Sequence, residues 1–209
     1  MANALAISAA VEGIVDEAVI RKLIVLAGAN PGNVYGRQGK PFLRQRIDGY
    51  NAAAEYAPWV VLVDLDREHD CPPPLRNAWL PEPAVHLCFR VAVRTVEAWL
   101  LADADRIADF LAVARGKIPE NPEALGDPKA AMVVLARTSR QRDIREDMVP
   151  GPSSGRPVGP AYASRLIEFA SSSWRPEIAA KQSESLRRAR ECLRRLVGSA
   201  QWRIEKERK

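Results

Sequence analysis

Two aspartates separated by one leucine, Asp64 and Asp66, close the apolar run "VVLVDLD" at 60–66. Side chains alternate along a strand, so the pair is expected on one face and Leu65 on the other. Like charges so placed at a buried strand end cost free energy unless a cation or strong donors lie between them. Glu12 ends an earlier apolar run, "ALAISAAVEG" (4–13), and Asp16 follows it by one helical turn. Glu97 stands at the start of a helical pattern just after a third such run. These five groups offer only oxygen, which is what Mg2+ or Mn2+ takes. Such ions serve phosphoryl chemistry by neutralising charge on the phosphate and by making water nucleophilic. Plainer readings stand beside this one: Glu12-Gly13 as a strand-ending turn, and Asp16 and Glu97 as anions at helix N-termini. The Asp64/Asp66 pair is the hardest to explain without a cation.

The elements that would position these acids alternate. A strand over 4–13 is followed by a helix over 16–28 closed by Gly28, then a turn-rich segment over 30–40 with room for a short edge strand. A helix over 41–57 begins at Pro41 and leads to "WVVLVDLD", a continuous apolar run of the kind parallel sheets bury on both faces. A proline-rich loop over 71–83 precedes a strand over 84–93. Thr95 is the expected cap of a helix over 96–114, with a break near Ala102-Asp103. This order predicts an α/β fold with a mostly parallel sheet, Rossmann-like, in which ligands bind outside the carboxyl ends of the strands. Residues 1–115 make that core. Residues 116–209 are expected to form a basic helical region packed on it, with helices over 127–139, 159–174 and 183–197.

The chain has 209 residues, 47% apolar and 27% charged, an ordinary balance for a soluble globular domain. Residues 1–110 carry 11 basic and 14 acidic side chains, a net −3, and residues 111–209 carry 20 and 12, a net +8. An acidic half and a basic half suit a metal site beside a surface for a polyanion; an arginine-rich solvated helix surface explains the charge equally well. No run is long enough to span a membrane and no signal-peptide pattern begins the chain. Three scattered cysteines, Cys71, Cys88 and Cys192, read as reduced thiols, hence a cytoplasmic protein. His69, Cys71, His86 and Cys88 could form a zinc clip, but neither His-x-Cys spacing is a usual zinc pairing. The loop "GPSSGRPVGP" (151–160) offers Ser153 and Ser154 to a phosphate, though an ordinary surface loop explains it better.

"AAVEGIVDEAVIRKLI", followed some fifty residues later by "VVLVDLD", resembles a TOPRIM domain, the fold shared by topoisomerases, bacterial primases, small RNA-maturation nucleases and the OLD (overcoming lysogenization defect) nucleases. Its hallmarks are a glutamate, usually followed by glycine, ending the first strand and an Asp-x-Asp ending a later one. Glu12-Gly13 and Asp64-Leu65-Asp66 match both. The resemblance implies metal binding by Glu12, Asp16, Asp64 and Asp66, with Asp16 similar to an extra ligand of the two-metal OLD nucleases. It implies a catalytic set of Glu12, Asp64, Asp66, Glu97 and a late lysine, for which Lys181 is the nearest candidate and Arg94 a comparable one. "RVAVRTVEAWLLAD" (90–103) and "SESLRRA" (183–189) are similar to a prokaryotic TOPRIM-like family often encoded beside an ATPase, in settings suggestive of phage defence. The second motif lacks the glycine that commonly follows it in topoisomerases and primases, and the chain has no room for their further domains. The expectation is a Mg2+-dependent nuclease acting on DNA or RNA, with an ATPase partner and self-association both open. The alternatives are a non-catalytic nucleic-acid-binding or regulatory partner that keeps a relic metal site, and an enzyme acting on small phosphates.

Overall fold

The apolar run that ends in Asp64 forms β3 (Trp59–Asp64), an inner strand of a four-stranded sheet. The structure, a computed structural model, describes residues 5–67 and 69–207, with side chains through Ala200. β3 pairs with β1 (Ala6–Val11) and β4 (Leu87–Ala92), and β2 (Asn30–Gly36) pairs with β1; every pairing is parallel and the order is β2-β1-β3-β4. The alternation of β3 supplies two cores at once. Val60 and Leu62 enter one, Val61 and Val63 the other, and all four are fully buried. Each such side chain contributes roughly 1.5–3 kcal/mol, so the strand is fixed by burial on both faces.

One face is covered by α2 (Lys40–Ala53) through Leu43 and Ile47, and by α3 (Pro72–Trp79) through Leu75. The other carries α1 (Ile14–Leu26), α4 (Val96–Leu101) and α5 (Ala104–Phe110). The same core takes in α6 (Pro128–Arg137), α7 (Arg142–Met148), α8 (Tyr162–Ser172) and α10 (Glu184–Glu207), so Met132, Leu166 and Leu193 share an interior with Val60 and Leu62. A short α9 (Pro176–Ala179) and two 3-10 turns, Arg115–Lys117 and Pro122–Ala124, complete the chain. The fold is α/β with an all-parallel sheet, Rossmann-like in winding. No helix among the described residues is long and apolar enough to cross a membrane.

Several expectations need correction. The proline-rich segment is α3 rather than a loop, because prolines in a first turn lose no hydrogen bond and are set at helical φ. The break expected near Ala102-Asp103 is present and divides that segment into two helices; the Asp103 carboxylate receives the Arg175 N–H (2.8 Å), Nε (3.0 Å) and Nη2 (2.6 Å). A helix at 142–148 was not expected, and α10 continues past Gly198 to Glu207. Cys88 and Cys192 are paired between β4 and α10, with Cα atoms 6.0 Å apart, whereas Cys71 is free and exposed. Their pairing removes Cys88 from any zinc clip and removes the thiol argument for a cytoplasmic location.

Candidate functional site

The strand order places a switch in winding between β1 and β3: from β1 the chain crosses to β2 on one side, then back over to β3 on the other. In open parallel sheets the crevice for ligands lies at the carboxyl ends of such a pair. Glu12 directly follows β1 and Asp64 ends β3 at this point. The two are joined directly, the Asp64 backbone N–H donating to Glu12 Oε1 at 2.8 Å. Gly13 then turns the chain into α1, and a Cβ there would sit 3.0 Å from Asp16 Oδ2, so glycine gives the Asp16 carboxylate its place. Asp16 is 6% exposed and its Oδ1 has no hydrogen-bond partner among the described residues.

Asp64 is buried and accepts from the Val96 N–H at the start of α4, 3.1 Å from Oδ1. Thr95 occupies the cap position of that helix but makes no capping hydrogen bond; the aspartate from the neighbouring strand takes that role. Asp66 departs from the alternation argument. The strand ends at Asp64, and Asp66 has φ 54°, a left-handed turn fixed by its N–H on the Arg94 carbonyl at 2.8 Å. Its side chain is half exposed and ion-paired with Lys40 at 2.9 Å. Glu97, in the first turn of α4, is 3% exposed and accepts from the Tyr162 hydroxyl at 3.3 Å, with Lys129 Nζ 3.8 Å away.

Electrostatics tie the five acids into one group. Burial, with the charges of Asp16 and Asp66 adding to it, raises the Glu12 carboxyl to about 7 despite the Asp64 N–H and Lys40. Burial and the Glu97 charge raise Asp16 to about 7. Asp64 is raised well above the usual range, first by burial and then by Asp16, Glu97, Glu12 and Asp66. Glu97 in turn raises the Lys129 ammonium, and burial with Glu97 raises the Tyr162 phenol. The cations within reach are therefore Lys40 and Lys129. Lys181 lies exposed just beyond α9 and does not figure among the charges acting on these acids. Arg94 does reach the crevice, with Nη1 donating to the carbonyls of Asp66 (3.0 Å) and His69 (3.3 Å). Ser153 and Ser154 sit on an exposed loop elsewhere.

Beside Asp66 opens a cavity of about 570 Å³, lined among others by Asp66, Arg67, Arg94, Thr95, Asp127 and Lys129. Lys129 carried no signal in sequence, because its approach depends on α6 packing against α4. Lys40 was legible in principle: it follows the edge strand next to β1, where a parallel sheet brings successive strand ends together.

The donor set is all carboxylate oxygen, and Asp16 Oδ1 is buried without a hydrogen-bond partner among the described residues, so the chemistry fits a hard divalent ion. As they stand, no three His, Cys, Asp or Glu side chains among the described residues are gathered closely enough to hold one. The reason is visible: Glu12 is turned to a backbone N–H, Asp64 to another and Asp66 to Lys40. No protein-family model, curated protein or solved structure matches the chain.

Proposed function

We propose that this chain is a divalent-metal-dependent phosphodiesterase acting on nucleic acid. One observation carries the reading: five carboxylates meet at the winding switch of a parallel sheet, three of them buried, with fewer donors than their charge requires. Such a group stays protonated or takes a cation; it is not a stable arrangement of free anions. Glu12, Asp16, Asp64 and Asp66 would hold Mg2+ or Mn2+, which supplies charge neutralisation on a phosphodiester and a water nucleophilic near neutral pH.

The remaining roles fall to the chain itself. Glu97 is oriented by Tyr162 and Lys129, so it faces the acids in one rotamer. Lys129 and Lys40 offset the negative charge that a phosphate would bring. A polyanion is favoured over a small phosphate by the far side of β4. There burial and the charges of Arg76, Arg195 and Arg188 push the Arg90 guanidinium below its usual range, with no carboxylate beside it among the described residues. The resemblance to TOPRIM nucleases agrees with this reading, and the similarity of 90–103 and 183–189 to a prokaryotic TOPRIM-like family extends it to an ATPase partner and phage defence.

The test is cleavage of plasmid DNA and of RNA with Mg2+ or Mn2+. Wild type is expected to cleave one of them and a combined Asp64→Ala and Asp66→Ala variant neither; equal activity in the two contradicts the proposal. The turning of each acid to a protein donor favours a second reading, a nucleic-acid-binding subunit with a relic site. It is the outcome if the wild type binds nucleic acid in a salt-dependent way but neither metal.

A further inference from the structure

The cavity beside Asp66 has a chemistry of its own. Its acids are matched by bases: Asp127 pairs with Arg67 at 3.4 Å and Asp66 with Lys40 at 2.9 Å. Arg94 is not matched. Its Nη1 binds two carbonyls, which hold the guanidinium without cancelling its charge, and it makes no ion pair among the described residues. Its Nε is buried with no acceptor. Thr95 beside it is 9% exposed, and its hydroxyl oxygen likewise has no hydrogen-bond partner. Across the cavity stands the N-terminus of the ten-residue α6, entered through Gly126 and Asp127, with Lys129 in its first turn. Arg94, Thr95, Lys129 and the N-terminus of α6 therefore line one space, and two of these side chains carry a buried donor without a partner. An unpaired buried donor costs about 1–3 kcal/mol, so a structure that keeps two of them here gains their partner from a ligand.

We infer that this cavity is a phosphate subsite, built by Arg94, Thr95, Lys129 and the start of α6, which seats a backbone phosphate neighbouring the one presented to the acid cluster. A tetrahedral anion there would accept from Arg94 Nε and the Thr95 hydroxyl, with its charge favoured by Lys129; the first turn of α6 is partly satisfied already, since Asp127 Oδ1 accepts from the Ala130 N–H at 2.8 Å. The backbone identity rests on the nuclease reading; the phosphate chemistry does not.

The experiment uses the whole chain in EDTA, which separates it from metal chemistry. Calorimetry at pH 8 measures binding of inorganic phosphate and of a short single-stranded oligonucleotide. Wild type is expected to bind both. Thr95→Val and Lys129→Met should each weaken both by about 10-fold, the scale of one charge-assisted hydrogen bond, while Thr95→Ser retains binding. Lys129 is half exposed, so its variant keeps the fold even if the Thr95→Val chain does not. Asp64→Asn should bind phosphate at least as well as wild type, so loss of cleavage and loss of the subsite are read separately. No phosphate binding by wild type, or equal binding by the variants, overturns the inference. Phosphate binding without oligonucleotide binding overturns its assignment to a nucleic-acid backbone.

Discussion

Asp103 and Asp16 are both buried aspartates on the same side of the sheet, and the chain treats them in opposite ways. Asp103 is fully buried, with both oxygens engaged by three donors of Arg175 at 2.6–3.0 Å. Asp16 is 6% exposed, with one oxygen unpartnered, and the charges of Glu97 and Asp64 are opposed only in part by Lys129. The first is a joint: it breaks the segment between α4 and α5 and ties it to α9. The second is a vacancy in charge. Glu123 belongs with the first kind, since it accepts from Ser183 and Ser185 hydroxyls and from the N–H groups that open α10. A buried acid matched by a cation reads as architecture, and a cluster of acids with fewer cations than charges reads as a seat for something positive.

The comparison can be broken most sharply through activity. Asp64→Asn should lower metal-dependent cleavage by at least about 10²–10³-fold, the scale of losing one electrostatic stabiliser, whereas Asp103→Asn should leave the rate per folded molecule unchanged. Stability should divide the two sites the other way. Asp103→Ala strands the Arg175 guanidinium and should cost about 3–5 kcal/mol, lowering Tm by about 2–4 °C per kcal/mol in a chain of this size. Asp16→Asn removes a charge that burial opposes and should raise the metal-free Tm at pH 8, by a smaller amount of about 2 kcal/mol.

The pH dependence follows from the same contrast. Glu12 and Asp16 are raised to about 7 in the folded chain, from ordinary values of 4.5 and 3.8. Between those limits the folded state holds protons that the unfolded state has released, so the contribution of these two carboxyls to metal-free stability is greatest below about 4 and falls as pH rises towards 7. Added Mn2+ competes with those protons and should restore stability most at pH 8. Thermal melts at pH 5 and pH 8, with and without Mn2+, check the sign; a metal-free Tm that rises over this range contradicts it.

Much of this was readable from residue order. Uninterrupted burial of 60–63 and the glutamate and aspartate at two strand ends announced a parallel sheet with acids at its carboxyl edge, and the sheet order supplied their meeting. What order could not supply was the turn after Asp64. Alternation holds only while the strand lasts, and Asp66 leaves it at φ 54°. Thr95 looked like a cap, but its side chain makes no capping bond, and a carboxylate 32 residues before Val96 reaches the first N–H of the helix instead. Lys129 was hidden for a related reason, since its place beside Glu97 comes from helix packing rather than spacing. The late lysine expected at Lys181 was sought by resemblance, and the charges that act on these acids come from Lys40 and Lys129 instead.

Calorimetric titration of the metal-free chain with Mn2+ at pH 8 tests the central claim most directly. Saturable binding that is lost in both Glu12→Gln and Asp64→Asn, with each variant folded, is the predicted result. No binding by wild type, or binding that survives both substitutions, contradicts it.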